Sequence, residues 1–189
     1  MPNNIFLLYN FKLNSMNLWH DIAPGTAEKL NVIVEIPKGS RIKYELDKDT
    51  GLIKFDRVLY SPMHYPANYG FVPQTLWRDG DPLDVLVLAH EAIIPGALVE
   101  ARAIGSLEMT DGGDDDVKVL AVPISDPRFN NTKDISDLEP HLLEEIKHFF
   151  QVYKELQKKE VAVGAWSGNG EVKEIVDISI ALYNEKFKK

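Results

Sequence analysis

Short stretches in which apolar and polar residues alternate, each ended by turn-forming residues, constrain the fold of this chain most strongly. Residues 30–36 and 41–46 alternate in this way, residues 52–58 are predicted to be a third strand, and residues 83–89, 98–103 and 117–122 are further apolar, β-prone runs. The turn Asp49-Thr50-Gly51 separates the second stretch from the third and predicts a β-hairpin there. Short strands at this spacing, broken by Gly, Pro and Asp, favour a β-barrel over a parallel sheet.

From about residue 130 the pattern becomes mainly helical. Residues 138–156 carry apolar side chains at helical spacing, and Ser136 or Asp137 is expected to cap the first turn. A second helix is predicted over residues 171–187, with Val172 and Val176 on its buried side. We therefore expect an α+β fold, a small barrel with two main helices packed on it.

Length and composition limit the other properties. A chain of 189 residues favours one domain, which we place at residues 16–189. Residues 1–15 are expected to be a disordered extension or a misassigned start, because Met16 begins a stretch that reads like a natural start. The absence of cysteine excludes disulfides and thiolate metal sites and fits a reducing compartment, so we expect a cytoplasmic protein.

Charge and hydropathy exclude two classes of partner. The net charge is −8, and acidic proteins make poor general binders of nucleic acid, where affinity comes largely from Lys and Arg. No run approaches the ~20 apolar residues that a membrane helix needs. We therefore expect neither a nucleic-acid partner nor a membrane partner.

The six-residue segment Asp79-Gly80-Asp81-Pro82-Leu83-Asp84 is the most informative for chemistry. Gly and Pro shape a tight turn, which could bring its three carboxylates together. Like charges repel at that distance, and a hard cation such as Mg²⁺ relieves the repulsion. From this segment alone, a metal site and a solvated acidic turn are both open interpretations.

A second acidic segment, Asp111-Gly112-Gly113-Asp114-Asp115-Asp116, favours the metal site. Asp114 and Asp115 are better explained as a solvated hairpin loop. Asp116 and Lys118 begin a strand two residues apart, so their side chains point to one face. A carboxylate could hold a metal there while the lysine holds a phosphate oxygen.

Charged residues on the predicted strands are further candidates for the site. Three of these residues lie opposite the main apolar face of their strands: Lys43, Glu35 and Glu45. The plainer explanation of their position is that this face is the solvated outer surface of the barrel. Arg57 shares its parity with Ile53 and with Phe55, so we expect it on an apolar face, where a bound phosphate would serve as its partner.

Two aromatic segments remain. Tyr65-Pro66-Ala67-Asn68-Tyr69-Gly70 is a dense aromatic turn, for which a core role is the better interpretation. Tyr153 and Lys154 lie late on the first predicted helix, the tyrosine on its buried stripe.

Taken in order, these segments resemble the family I soluble inorganic pyrophosphatases. The matching segments are Glu35-Ile36-Pro37, Ile42-Lys43-Tyr44-Glu45, Asp56-Arg57, the aromatic turn, the Asp79–Asp84 motif, Met109-Thr110-Asp111, Lys118 with Ala121-Val122-Pro123, and His148-Phe149-Phe150 with Tyr153-Lys154. The resemblance extends from about residue 17 to the C-terminus. It implies a five-stranded OB-like barrel, an active site with several Mg²⁺ ions (other divalents such as Mn²⁺ being possible), and a homo-oligomer, with a hexamer favoured.

The resemblance also implies roles for individual residues. The implied metal-site residues are Asp79, Asp84, Asp111, Asp116, Glu35 and Glu45, the two glutamates acting mainly through waters. The implied pyrophosphate ligands are Lys43, Arg57, Lys118, Tyr153 and Lys154. Asp81 resembles the residue that deprotonates the attacking water, and Tyr69 would lie beside the metals and the nucleophile. Some members have a second acidic residue where this chain has Gly112, a departure that concerns only the outer metal site.

The function that follows is Mg²⁺-dependent hydrolysis of pyrophosphate to two phosphates by a metal-activated water. A hydrolase of other phosphoanhydrides and a non-catalytic OB-like phosphate-binding module are the alternatives. The complete set of carboxylates and cations argues against the second alternative, although a fold alone fixes no function.

Overall fold

The computed structural model describes residues 16–188. The expectation for residues 1–15 therefore lies outside the described residues. Ten strands and two α-helices make up most of the described chain. The strands are β1 (Gly25–Thr26), β2 (Lys29–Ile36), β3 (Ile42–Asp47), β4 (Leu52–Val58), β5 (Asn68–Phe71), β6 (Asp84–Val87), β7 (Leu98–Asp111), β8 (Asp114–Asp115), β9 (Lys118–Pro123) and β10 (Val161–Gly168); the helices are α1 (Pro140–Val152) and α2 (Asn169–Phe187).

Five strands close into a ring, which is the predicted barrel. Their order is β2-β5-β6-β9-β7, and β7 returns to pair with β2. The pairing of β6 with β9 is parallel, and the other four pairings of the ring are antiparallel. The long strand β7 makes this closure possible, because it also pairs with β9, β8 and β10. The predicted α+β fold with a five-stranded OB-like barrel is confirmed.

Strands β3 and β4 form the predicted hairpin, but as a separate two-stranded sheet. Lys43 pairs with Arg57 and Tyr44 pairs with Phe55, so Asp56 is an extra residue, a β-bulge. The bulge resets the alternation, and Arg57 lies on the face of Lys43, not on the face of Phe55. The sequence-based placement of Arg57 among apolar neighbours was wrong for this reason.

The helices follow the prediction except at their ends. α1 begins at Pro140, after Glu139, and not at a cap formed by Ser136 or Asp137. A short 3₁₀ helix, Ile135–Asp137, occupies that place and is capped by Asp134. α1 ends at Val152, so Tyr153 is its C-cap and Lys154 lies beyond it.

The core has two sides because the barrel strands bury both faces. On one side, Leu86 of β6 and Leu120 of β9 belong to the same cluster as Phe149 of α1. On the other side, their neighbours Val85 and Val119 cluster with the buried residues of α2. This two-sided burial explains why β6 and β9 are apolar after their first, charged residues and do not alternate. Within residues 16–188, neither helix has the length and apolarity needed to cross a bilayer.

Candidate active site

Lys118 lies at the centre of the acidic cluster. Its ammonium group contacts Oδ2 of Asp84 at 2.5 Å and also pairs with Asp116. Lys118 and Asp116 leave only 3% and 8% of their surface exposed. Burial alone would lower the pKa of Lys118, but the two carboxylates outweigh it and raise this pKa above its usual range. Strands β6 and β9 are parallel and begin side by side, with Asp84 and Lys118 as register partners. This pairing produces the contact.

A second lysine–aspartate pair lies at the other edge of the cluster. Lys154, just after the C-terminus of α1, pairs with Asp111 at the end of β7. Burial lowers the pKa of Lys154, although Asp111 opposes that shift. Tyr153 is buried beside it and packs on Phe149, so the core of α1 fixes where both residues lie.

Tyr69 combines a core position with a polar contact. Its ring is buried in the cluster under α1, and its hydroxyl donates to Oδ2 of Asp84 at 2.5 Å. Burial first, and then the charges of Asp84 and Asp116, raise the pKa of Tyr69 well above its usual value. Tyr69 is therefore a protonated hydrogen-bond donor at any physiological pH.

The two glutamates have contrasting surroundings. Glu35 is buried and accepts a 2.7 Å hydrogen bond from the backbone N–H of Leu46. Burial, followed by the charge of Asp84, raises the pKa of Glu35 to about 8. Glu45 is half-exposed and pairs with Lys43. Partial burial raises the pKa of Glu45, but the charge and the hydrogen bond of Lys43 lower it, and the net pKa lies below its usual value.

The turn before β6 presents Asp79 and Asp81. The backbone N–H of Asp81 donates to Oδ1 of Asp79 at 3.0 Å, which holds the turn together. Burial, with Asp84 and Asp116 adding to it, raises the pKa of Asp79 to about 6. Asp81 is more exposed and pairs with Lys48 from the β3–β4 turn. Sequence reasoning missed Lys48, although its position directly before the predicted turn Asp49-Thr50-Gly51 was a usable signal.

Two neighbouring clefts of about 250 and 220 Å³ contain these groups and share Lys43, Tyr69, Asp81 and Asp84. All the predicted carboxylates and lysines line one or both clefts, as does Tyr153. Arg57 is the exception among the predicted residues. It pairs with Asp56 beside Lys43, and its buried Nε has no hydrogen-bond partner among the described residues. Asp114, expected to be a solvated loop residue, also lines the smaller cleft.

The family model for inorganic pyrophosphatase matches residues 32–184. The chain belongs to the inorganic pyrophosphatase family. It is therefore an enzyme acting on pyrophosphate. The resemblance to the soluble inorganic pyrophosphatases that the sequence motifs indicated is confirmed. Among curated relatives, a soluble inorganic pyrophosphatase of Zea mays is 53% identical over 167 residues, covering 87% of this chain and 78% of the relative. Soluble inorganic pyrophosphatase 1 of Arabidopsis thaliana is 51% identical, covering 88% and 80%.

Two solved bacterial inorganic pyrophosphatases share the fold over nearly their whole length. The structure from Thermus thermophilus has 41% sequence identity and a TM-score of 0.86, covering 89% of this chain and 99% of that one. The structure from Helicobacter pylori has 45% identity and a TM-score of 0.83, covering 86% and 98%.

The inorganic pyrophosphatase family generally requires a divalent metal, and the ligands present fit one. The anionic groups of the clefts are carboxylates, which suit hard cations. Burial and mutual repulsion raise the pKa of Asp79 and of Glu35, so added positive charge would stabilise both carboxylates. Within residues 16–188, no three carboxylate or imidazole groups converge tightly enough to hold a metal in this conformation, where Lys118 and Lys154 lie among the aspartates.

Proposed function

We propose that this inorganic pyrophosphatase cleaves pyrophosphate by attack of a metal-activated water, at the clefts between β3, β6, β9 and the end of α1. The observation that carries the proposal is the meeting of both charge types in one place. The smaller cleft is lined by carboxylates from two separate turns together with Lys43, Lys118 and Lys154. Carboxylates suit metal ions, and lysines suit the phosphates of the substrate.

Mg²⁺ is the proposed metal, with several ions per site and Mn²⁺ as a possible substitute. Asp79, Asp84 and Asp116 would hold the first ion, Asp84 would share the second, and Asp111 with Asp116 would hold the third. Glu35 and Glu45 would act through waters. Bound ions would supply the positive charge that lowers the pKa of a water toward neutrality and offsets the charge of the substrate.

Asp81 is the proposed general base. It would accept the proton of the attacking water as the water oxygen forms its bond to one phosphorus and the bond to the leaving phosphate breaks. Its position supports this role, because it lines both clefts and is more exposed than Asp116. Lys48 pairs with Asp81 and would hold its carboxylate in place. Tyr69 would orient Asp84, which lines the same two clefts as Asp81.

The cationic side chains would bind the two phosphates. Lys43, Lys118 and Lys154 line the cleft, and Arg57 lies next to Lys43 across the hairpin. These groups neutralise charge on the transferred and leaving phosphates, which is the main catalytic need in phosphoryl transfer. Tyr153 would add a hydroxyl donor. Within residues 16–188, the buried Nε of Arg57 has no hydrogen-bond partner, so it would be a further donor if Arg57 turned toward the substrate.

The test is phosphate release from pyrophosphate with and without Mg²⁺, with ATP as a parallel substrate. We expect Mg²⁺-dependent release from pyrophosphate and little from ATP. Comparable release from ATP would favour a broader phosphoanhydride hydrolase. No release with any divalent ion would contradict the enzymatic proposal and favour a binding module on the same barrel.

We also propose that residues 16–189 form one cytoplasmic domain that assembles into a homo-oligomer, with a hexamer favoured. The resemblance to the family supports this proposal. Light scattering of the purified chain would test the oligomeric state.

A further inference from the structure

An ion pair outside the clefts joins the two acidic turns. Nη1 of Arg78 donates to Oδ2 of Asp115 at 2.8 Å. Arg78 directly precedes Asp79, and Asp115 directly precedes Asp116. The pair therefore connects the two chain segments that present carboxylates to the smaller cleft, one residue away from a carboxylate on each side.

Both ends of this pair are attached to ordered structure. The guanidinium of Arg78 lies 5.3 Å from the ring centroid of Trp77, whose side chain is 93% buried (7% exposed). Trp77 also holds the turn, since its N–H donates to the Asp81 carbonyl at 2.7 Å and its carbonyl accepts from Gly80 at 3.1 Å. A guanidinium over an aromatic ring is attracted to the face of the ring, so this contact limits the positions open to Arg78.

On the other side, Asp115 belongs to β8 and pairs in register with Thr110 of β7. The next residue, Asp116, donates its backbone N–H to Met109 at 3.0 Å. Because Asp115 and Asp116 are consecutive, a shift of Asp115 would move Asp116 with it. Asp79 and Asp116 both line the smaller cleft and carry like charges, so the two segments repel one another.

We propose that Arg78 and Asp115 are positioning residues whose ion pair holds the Asp79 and Asp116 segments together and so raises the affinity of the cleft for divalent metal. This proposal rests on the metal roles given above to Asp79 and Asp116. Neither Arg78 nor Asp115 lines either of the two clefts. Arg78 and Asp115 act through the carboxylates that follow them.

Two single variants test this proposal, Arg78→Ala and Asp115→Ala. For one of them, a purely electrostatic effect and a positioning effect predict opposite changes in metal affinity. Removing the positive charge of Arg78 near a cation site should tighten metal binding if only charge matters. If the pair holds the segments together, Arg78→Ala should weaken metal binding. Asp115→Ala should weaken metal binding in both cases, so Arg78→Ala is the deciding variant.

The experiment is calorimetric titration of Mg²⁺ into the full chain without substrate, for Arg78→Ala, Asp115→Ala and the double variant. We expect each single variant to weaken Mg²⁺ binding roughly three-fold, the size that exposed ion pairs produce. The double variant should be no weaker than the single variants, because they remove the same interaction. The charge-reversed chain, Arg78→Asp with Asp115→Arg, should recover part of the affinity.

The matched control is Arg128→Ala. Arg128 forms an ion pair with Asp126 at 2.7 Å and its side chain is 63% exposed, against 2.8 Å and 61% for Arg78. It lies in the 3₁₀ helix Pro127–Phe129 and should leave Mg²⁺ binding unchanged. Turnover of Arg78→Ala at saturating Mg²⁺ should stay near wild type, since only metal affinity is lowered.

Two results would overturn the proposal in distinguishable ways. If the wild-type chain binds Mg²⁺ and Arg78→Ala binds it equally well or more tightly, the positioning link is wrong and the proposed active site stands. If the wild-type chain binds no Mg²⁺ and shows no metal-dependent hydrolysis, the metal site and the link both fail.

Discussion

The hydroxyl of Tyr69 donates a 2.5 Å hydrogen bond to Oδ2 of Asp84. Lys118 contacts the same oxygen, and within residues 16–188 no group hydrogen-bonds to Oδ1 of Asp84. Tyr69 therefore orients a proposed metal ligand.

Tyr69→Phe should lower turnover about tenfold, because a hydrogen bond to a charged group contributes about 1.5–3 kcal/mol. Loss of the same hydrogen bond should also lower the melting temperature by several degrees, so turnover is measured well below it. Turnover and thermal unfolding check this result. The control is Tyr183→Phe, whose hydroxyl contacts His20 at 2.6 Å away from the clefts and should leave turnover unchanged. Wild-type turnover in Tyr69→Phe would remove its role beside Asp84.

Asp81→Asn should keep most metal binding and lose most of the rate. The amide fills the same space but cannot accept the proton of the attacking water, a contribution of at least about 100-fold for a general base. Turnover and Mg²⁺ titration should be measured together. Asp114→Asn, another carboxylate of the smaller cleft, serves as the comparison and should keep turnover within a few-fold. Hydrolysis by Asp81→Asn at the wild-type rate would show that another group is the base.

Lys118→Met should destabilise the chain strongly without Mg²⁺ and less with it. Removing one partner of a buried ion pair leaves charge uncompensated, at a cost of about 3 kcal/mol. Divalent ions bound at Asp84 and Asp116 would offset part of that repulsion. Urea unfolding with and without Mg²⁺ measures the difference. Lys54→Met removes an exposed partner of Asp47 and should cost little in either condition. An equal loss with and without Mg²⁺ would contradict this account.

The sequence contained most of the barrel and the charged cluster, because both depend on local patterns. Alternation located β2 and the β3–β4 hairpin, and the motif around Asp79 located the turn before β6. The bulge at Asp56 could not be foreseen, since it depends on the cross-strand register of Lys43 and Arg57. That single extra residue is why Arg57 was assigned to the wrong face.

Besides the two-residue strands β1 and β8, which were not predicted, two longer strands were missed for different reasons. β10 was assigned to a mainly helical region, but it is a half-exposed strand that pairs with β7, and long-range pairing is not visible in local sequence. β5 was interpreted as a turn because Pro66 and Gly70 are turn residues. It is in fact a fully buried strand between β2 and β6. Likewise, Glu35 was expected on a solvated face but is buried, since β2 is covered on both sides.

Asp134 joins two elements and should contribute stability without affecting turnover. Its carboxylate accepts from the backbone N–H of Asn169 at 2.7 Å and of Ser136 at 3.0 Å, which caps a 3₁₀ helix and contacts the start of α2. Asp134→Ala should cost about 1 kcal/mol, as other lost caps do. Chemical unfolding measures this loss, and unchanged turnover is the control.

The loss in Asp134→Ala should depend on pH in a defined direction. The hydrogen bonds from Asn169 and then Ser136 lower the pKa of Asp134 in the folded chain. The ionised form is therefore favoured by folding, so this contribution is complete above the unfolded pKa of about 3.9 and declines as pH falls through the lower folded value. Wild type and variant should converge in stability at acid pH. A difference that grows toward acid pH would contradict the assignment.

Gly70→Ala should destabilise the barrel by more than about 2 kcal/mol, because β5 lies too close to β2 for any side chain at this position. A Cβ at Gly70 would meet the backbone carbonyl oxygen of Ile33 at 1.9 Å, and a main-chain atom inside a closed barrel cannot move aside easily. Tyr69 is the preceding residue, so a displaced β5 should also shift its hydroxyl from Asp84 and lower turnover.

The comparison for Gly70→Ala is Gly170→Ala. Gly170 is exposed in the first turn of α2, and a Cβ there would meet nothing within 4 Å, so alanine should stabilise the chain by about 0.5–1 kcal/mol. Thermal and urea unfolding of both variants should therefore move in opposite directions. A Gly70→Ala chain with wild-type stability would mean that β2 and β5 are less closely paired than the register of Val34 with Gly70 requires.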